Sequence, residues 1–215
     1  MSDAFVTQTY ADLKNYNFLK RSYVIYNPIK IEKFDLNVKK QNIVLGVGRL
    51  DKQKGFDVLI KAFKKIGKDD WKLLIAGDGP ERERLETLIK KLGSTNIELI
   101  GKTKEIFKYY SQASIFVLSS NKEGFPNVLI EAMAFGCAVV SFDCPYGPAE
   151  IIENGVNGIL VKNQDENGLK EAIELLIKDE ELRKKLSKEA IKVREKYSIE
   201  KIVKEWEKVI KKSLC

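Results

Sequence analysis

Apolar and polar positions along this chain follow two periods, and the two alternate. Short runs of almost wholly apolar residues, each about one strand long, are separated by longer stretches in which apolar residues recur every three or four positions. From Asn42 onward the alternation is regular. Apolar runs at Ile43 to Val47, Trp71 to Ala76, Ile97 to Ile100, Ile115 to Leu118, Ala138 to Phe142 and Gly158 to Val161 predict strands. Between them, Phe56 to Ile66 sets Val58, Leu59, Ala62, Phe63 and Ile66 on one helical face, and helices are also predicted over Pro80 to Leu92, Lys104 to Gln112, Gly147 to Glu153 and Glu166 to Ile177. Strands this uniformly apolar belong to a parallel sheet covered on both faces, so the expected fold class is α/β with a doubly wound, Rossmann-like parallel sheet. Ligands of such sheets bind beyond the carboxyl ends of the strands.

The ends of the chain depart from this rhythm. Ala4 to Thr9 is β-prone, Tyr10 to Tyr16 predicts a short helix, and Ser22 to Tyr26 a short strand that runs into the turn Asn27-Pro28. Beyond Asp179, Leu182 to Tyr197 and Ile199 to Ser213 carry apolar residues at helical spacing: Leu182, Leu186, Ala190 and Val193 in the first, and Ile202, Val203, Trp206 and Ile210 in the second. These two helices are expected to pack across the domain edge with lysines outward.

One stretch stands apart, from Leu118 to Gly136. A buried strand ends in Ser119-Ser120-Asn121-Lys122-Glu123-Gly124-Phe125, and Pro126, whose φ is already near the helical value, suits the first helical position. From Val128 to Phe135 the helix is apolar on nearly every face except at Glu131. An ionised carboxylate without a partner in such a place costs several kcal/mol. Either a structural partner such as a Lys, an Arg or a backbone N–H holds it, or it faces a cleft and accepts hydrogen bonds from a ligand's hydroxyls. Glu123 lies in the preceding turn, where it leans over the same mouth. The N–H groups of Asn127, Val128 and Leu129 are first-turn donors at the positive end of the helix dipole, and form a site for an anion. Two carboxylates flanking an anion site suit a sugar nucleotide.

Composition narrows the chemistry. The 215 residues, 44% of them hydrophobic, can bury one good core, and no apolar run reaches the length of a membrane span. Neither a signal peptide nor a metal-ligand spacing is present, so a cytoplasmic protein with reduced Cys137, Cys144 and Cys215 and no metal is expected. Histidine is absent altogether, which leaves acid-base work to carboxylates and lysines. Of the net charge of +7, +6 falls within residues 181 to 215, a solvated helical face or a surface for anionic lipid. Nucleic acid is disfavoured because no aromatic residues interleave the basic ones in any known motif.

At the end of the first regular strand stands Gly46-Val47-Gly48-Arg49-Leu50-Asp51-Lys52-Gln53-Lys54-Gly55. Asp51 breaks the dinucleotide fingerprint, and the P-loop pattern is absent. What remains is a glycine turn with Arg49 and Lys54, a bidentate guanidinium and a point-charge ammonium able to neutralise a diphosphate. Taken with Tyr26-Asn27-Pro28-Ile29, Gly77-Asp78-Gly79-Pro80, Glu123 to Ala132 as an E-x7-E element, and Glu150-Ile151-Ile152 with Gly155 and Gly158, this loop completes an ordered set. From about residue 22 onward the chain resembles the C-terminal, donor-binding half of retaining glycosyltransferases of the GT-B fold, of the bacterial glycosyl transferases group 1 type.

The resemblance implies that Arg49 and Lys54 hold the diphosphate and stabilise the leaving nucleotide, that Glu131 binds the ribose hydroxyls, and that Glu123 orients the transferred sugar. It also implies backbone contacts from Gly48 and from Gly124, Phe125, Pro126, Asn127, Val128 and Leu129, with Gly101, Lys102 and Thr103 beside the base. The donor would be a UDP-sugar and the transferred group a hexose or N-acetylhexosamine, with no metal required. Residues 1–26 would be a remnant of a preceding domain, and 27–215 the donor domain with its C-terminal helices over 180–215. The acceptor domain would then be a missing N-terminal half, so that this half alone is inactive, working on glycan or lipid-linked acceptors at the inner face of a membrane. The alternative is a non-catalytic nucleotide-binding or partner subunit of a split enzyme.

Overall fold

A computed structural model describes residues 4–16, 18, 21–30 and 38–213; Cys215 lies outside the described residues. The chain opens with β1 (Phe5–Thr7), α1 (Tyr10–Leu13) and β2 (Ser22–Val24), in which β1 and β2 pair as a small parallel sheet of their own. There follow β3 (Gln41–Val47), α2 (Phe56–Ile66), β4 (Lys72–Ala76), α3 (Arg82–Lys91), β5 (Ile97–Gly101), α4 (Ile106–Gln112), β6 (Ala113–Leu118) and α5 (Asn127–Ala134). The last part comprises β7 (Ala138–Asp143), α6 (Pro148–Ile151), β8 (Ile159–Lys162), α7 (Glu166–Lys178), α8 (Glu180–Ala190), α9 (Val193–Lys196) and α10 (Ile199–Ser213).

The main sheet has six parallel strands in the order β5-β4-β3-β6-β7-β8. Consecutive strand residues point to opposite faces and both faces are buried, which is why the strands read as continuous apolar runs. Val44, Ile75, Val117 and Val140 face a core closed by Leu59 and Phe63 of α2 and by Leu169 and Ile173 of α7. Leu45, Leu74, Phe116 and Val139 face a second core closed by Tyr110 of α4 and by Leu129 and Met133 of α5. The order reverses between β3 and β6. At such a reversal the loops leaving the two strands part to opposite faces and open a crevice at the carboxyl edge.

Several expected elements shift. Pro126 caps α5 from outside, with φ −78° and ψ 82°, rather than beginning it. The helix expected over Leu182 to Tyr197 is broken at Ile191-Lys192 into α8 and α9. Just past the break, Arg194 donates from Nε to the Ala134 carbonyl at the end of α5, 2.7 Å away. In α10 the buried face is Ile202 and Val209, packed with Ile25 beside β2, whereas Val203, Trp206 and Ile210 are exposed. Periodicity marked this helix as amphipathic, but the seating of the N-terminal segment chose the face. Glu150 secures that segment: its two carboxylate oxygens accept the Tyr10 and Ala11 N–H groups of α1 at 3.0 and 2.8 Å.

Candidate functional site

The loop after β3 and the turn after β6 are laced together. The Ser119 hydroxyl donates to the Lys54 carbonyl (2.8 Å), the Asn121 N–H to the Gln53 carbonyl (2.8 Å), and the Gln53 amide to the Lys122 carbonyl (2.8 Å). Gly55, at φ +61°, lies so close to this turn that a Cβ there would sit 2.2 Å from the Ser119 carbonyl oxygen. The loop after β4 closes on the same point. Gly77 has φ +145°, and a Cβ on it would fall 1.8 Å from the Gly48 carbonyl oxygen. Leu50 donates its N–H to the Asp78 carbonyl, which ties the two loops together (3.0 Å).

Beyond these strand ends opens a cleft of about 610 Å³. Its walls are Val47, Gly48 and Arg49 after β3, Gly77 and Asp78 after β4, Lys102 and Thr103 after β5, Ile106 and Tyr110 of α4, and Glu131 of α5. Gly101 stands just behind, its carbonyl accepting the Gly77 N–H at 2.9 Å. Arg49 and Lys102 are exposed cations lining the cleft. Glu131, also in the lining, is a half-buried carboxylate, and the Tyr110 hydroxyl donates to its Oε2 at 2.9 Å. Burial raises the Glu131 carboxyl above its ordinary value, and the Tyr110 hydrogen bond works in the opposite direction. Glu131 thus has a structural partner and also lines the cleft. The partner is a phenol rather than a Lys, an Arg or a backbone N–H. Tyr110 itself is buried. In the sequence it reads as one apolar position of α4, and only the lone acid of α5 signalled that something polar must meet it.

Glu123 does not share this mouth. It lines a second cavity of about 680 Å³ with Gln53, Lys122, Gly124 and Tyr146, closed on the far side by Thr7, Gln8, Asp12 and Asn15 of the N-terminal segment. Lys54 lies between Gly48 of the first cleft and Glu123 of the second cavity. Its Nζ donates to Glu123 Oε1 at 2.7 Å while its stem lies against Gly48. Of the two expected anion-binding cations, Arg49 therefore faces the first cleft and Lys54 is held in an ion pair behind it.

The turn into α5 is more occupied than its sequence suggests. The Asn127 N–H donates to the Phe125 carbonyl (2.9 Å) and the Leu129 N–H to the Pro126 carbonyl (3.0 Å), so two of the three first-turn donors expected to be open are used. Phe125 is buried, stacked on Tyr26 at 5.5 Å, and Leu129 is buried in the core beside half-buried Val128. These side chains support the turn rather than line either cavity. The Asn127 side chain accepts from Asn27 at 3.1 Å, which fastens the turn to the N-terminal connection. Both described cysteines are poor nucleophiles: burial pushes the Cys144 thiol up to about 12, helped by the Glu123 charge, and raises that of Cys137.

This arrangement has relatives. The profile of the family described as glycosyl transferases group 1 matches residues 28–193. The chain belongs to that family. Among curated relatives, the amylovoran biosynthesis glycosyltransferase AmsD of Erwinia amylovora is 37% identical over 200 residues, covering 89% of this chain and 56% of that protein. A Campylobacter jejuni alpha-1,4-N-acetyl-D-galactosaminyltransferase, whose name specifies a GalNAc-containing diphospho-undecaprenol substrate, is 34% identical over 199 residues, 90% of this chain and 55% of its own length. The chain thus spans about half the length of these glycosyltransferases. Among solved structures, a mutant of S. aureus TarM in complex with Fondaparinux, alpha-GlcNAc-glycerol and UDP superposes with a TM-score of 0.88 at 27% identity, over 96% of this chain and 43% of that one. The pneumococcal O-GlcNAc transferase GtfA, in complex with UDP and GlcNAc, gives 0.85 at 25% identity, over 99% and 45%. The fold neighbours of this group 1 chain are GT-B glycosyltransferases.

Proposed function

We propose that the chain is the donor-binding part of a retaining glycosyltransferase that moves a hexose or N-acetylhexosamine from a UDP-sugar to a glycan or lipid-linked acceptor. The observation that carries this reading is the cleft at the β3/β6 reversal, lined by both exposed Arg49 and the Tyr110-bound Glu131 carboxylate. In this reading Arg49 takes the diphosphate, Glu131 accepts the ribose hydroxyls, and Gly101, Lys102 and Thr103 flank the base. Lys54 joins Arg49 on the diphosphate by exchanging the Glu123 carboxylate for phosphate oxygens, which frees Glu123 to orient the sugar in the neighbouring cavity. Gly48 and the backbone from Gly124 to Leu129 complete the wall. Fixed cations beside the leaving diphosphate stabilise the charge that develops on it without reorganisation. Retention by front-face attack needs no protein nucleophile, which agrees with a chain that lacks histidine and has deeply buried, high-pKa thiols. The UDP in the TarM and GtfA structures supports the choice of base, and the C. jejuni relative supports a lipid-diphosphate acceptor.

Transfer in this reading requires a facing acceptor domain, on a further segment or a partner chain. A non-catalytic nucleotide-binding or partner subunit of a split enzyme is the second reading. Calorimetry tests the donor site first: UDP should bind more tightly than GDP or ADP, and R49A should weaken UDP by about tenfold to a hundredfold, the range for loss of a charged hydrogen-bonding partner, with little change in melting. No UDP binding, or equal affinity in R49A, overturns the proposal. Sugar transfer by the chain joined with an acceptor domain separates the enzyme from the non-catalytic subunit.

A further inference from the structure

We propose that Tyr110 is a positioning residue of the donor site, which holds one oxygen of the Glu131 carboxylate so that the other remains in the cleft as the acceptor for a ribose diol. This inference rests on the reading that the cleft takes a nucleotide. Its ground is the way both ends of Tyr110 are held. At one end the phenol donates to Glu131 Oε2 at 2.9 Å. At the other the Tyr110 carbonyl accepts from the Lys40 ammonium at 2.9 Å and from the Cys137 thiol at 3.3 Å, and Lys40 also donates to the Phe135 carbonyl at 2.8 Å. Between the two ends the ring is fully buried, stacked on Phe135 with centroids 5.9 Å apart and tilted against Phe116 at 6.1 Å. A tyrosine fixed in this way has no freedom to follow the carboxylate, so the carboxylate must follow the tyrosine.

The consequence for binding is chemical. A carboxylate on a helix surface can rotate and can present either oxygen, and ordering it on ligand binding has an entropic cost. With Oε2 engaged by the phenol, that cost is met in the folded chain, and Oε1 keeps its lone pairs for hydroxyl donors. The phenol also favours the ionised carboxylate, the form that accepts from a diol, against the burial that favours the acid. The other charged groups lining the cleft are Arg49, Asp78 and Lys102, from the loops after β3, β4 and β5.

The test uses the 215-residue chain, with UDP and 2′,3′-dideoxyuridine diphosphate as probes, titrated by calorimetry from pH 5 to 8 against wild type, Y110F and E131Q. Y110F keeps the ring and its stacking. It should bind UDP about tenfold more weakly, the scale of a hydrogen bond to a charged group, and the acid limb of UDP binding should move to higher pH. The dideoxy probe, which shares the phosphate titration of UDP, should bind wild type and Y110F alike, and E131Q should show no acid limb beyond the one that probe shows. Equal losses for both probes, an unmoved pH profile, unchanged UDP affinity or an unfolded Y110F would each overturn the assignment. Failure of wild type to bind UDP would instead overturn the nucleotide reading on which it rests.

Discussion

Removing one member of the Lys54–Glu123 pair should destabilise the chain far more than removing both. The two groups are 2.7 Å apart, with side-chain exposures of only 18% and 8%. At an effective dielectric of about 20 the bare attraction at that distance is roughly 6 kcal/mol, but taking both ions out of water offsets most of it. Against a well-packed apolar pair the net contribution is therefore near zero. K54M alone is different, because it leaves the Glu123 carboxylate buried without its cation, at a cost of about 3 kcal/mol. For a chain of this size that lowers Tm by about 6–12 °C. The assay is thermal and urea unfolding of wild type, K54M, E123M and K54M/E123M at pH 7. The double variant should recover most of the loss, with a coupling of about 2 kcal/mol or more. Because the pair is mostly buried, 0.5 M NaCl should change the coupling little. If the single losses add up in the double variant to within about 0.5 kcal/mol, the pair is not coupled in solution and its placement behind the cleft is wrong.

Two further outcomes follow from the same geometry. Burial raises the Glu131 carboxyl above its ordinary 4.5, so this group's contribution to stability is present below that value and is lost as the pH rises through the raised one. E131Q should accordingly unfold at higher urea than wild type at pH 7, while losing UDP affinity. Its advantage should shrink as the pH falls toward 4.5; an advantage that grows on acidification would contradict the raised value. Gly55 and Gly67 offer a matched pair at φ +61° and +63°, since a Cβ on Gly55 meets the Ser119 carbonyl oxygen whereas nothing lies within 4 Å of one on Gly67. G67A should cost about 1–2 kcal/mol, the left-handed backbone penalty alone. G55A should cost at least about 2 kcal/mol more, and equal costs in urea unfolding would refute the close approach of the two loops.

What the sequence determined by itself was everything that depends on local period and on residues near one another in the chain. Parallel strands buried on both faces, the helices between them, the glycine loop from Gly46 to Gly55 and the misfit of Glu131 in an apolar helix were all legible, because each is written within a dozen residues. Tertiary structure alone decided which of these pieces meet. The strand order seats β3 against β6 and so brings Lys54 to Glu123 across 69 positions, and the packing of α4 on α5 brings Tyr110 to Glu131 across 21. It also separated Glu123 from Glu131 into different cavities, and turned Val203, Trp206 and Ile210 of α10 outward although their spacing matched a buried stripe. The physical reason is common to all of these. Periodicity fixes which side chains share a face, but the partner of that face is set by the lowest free energy of the whole packed sheet, and no local pattern encodes it.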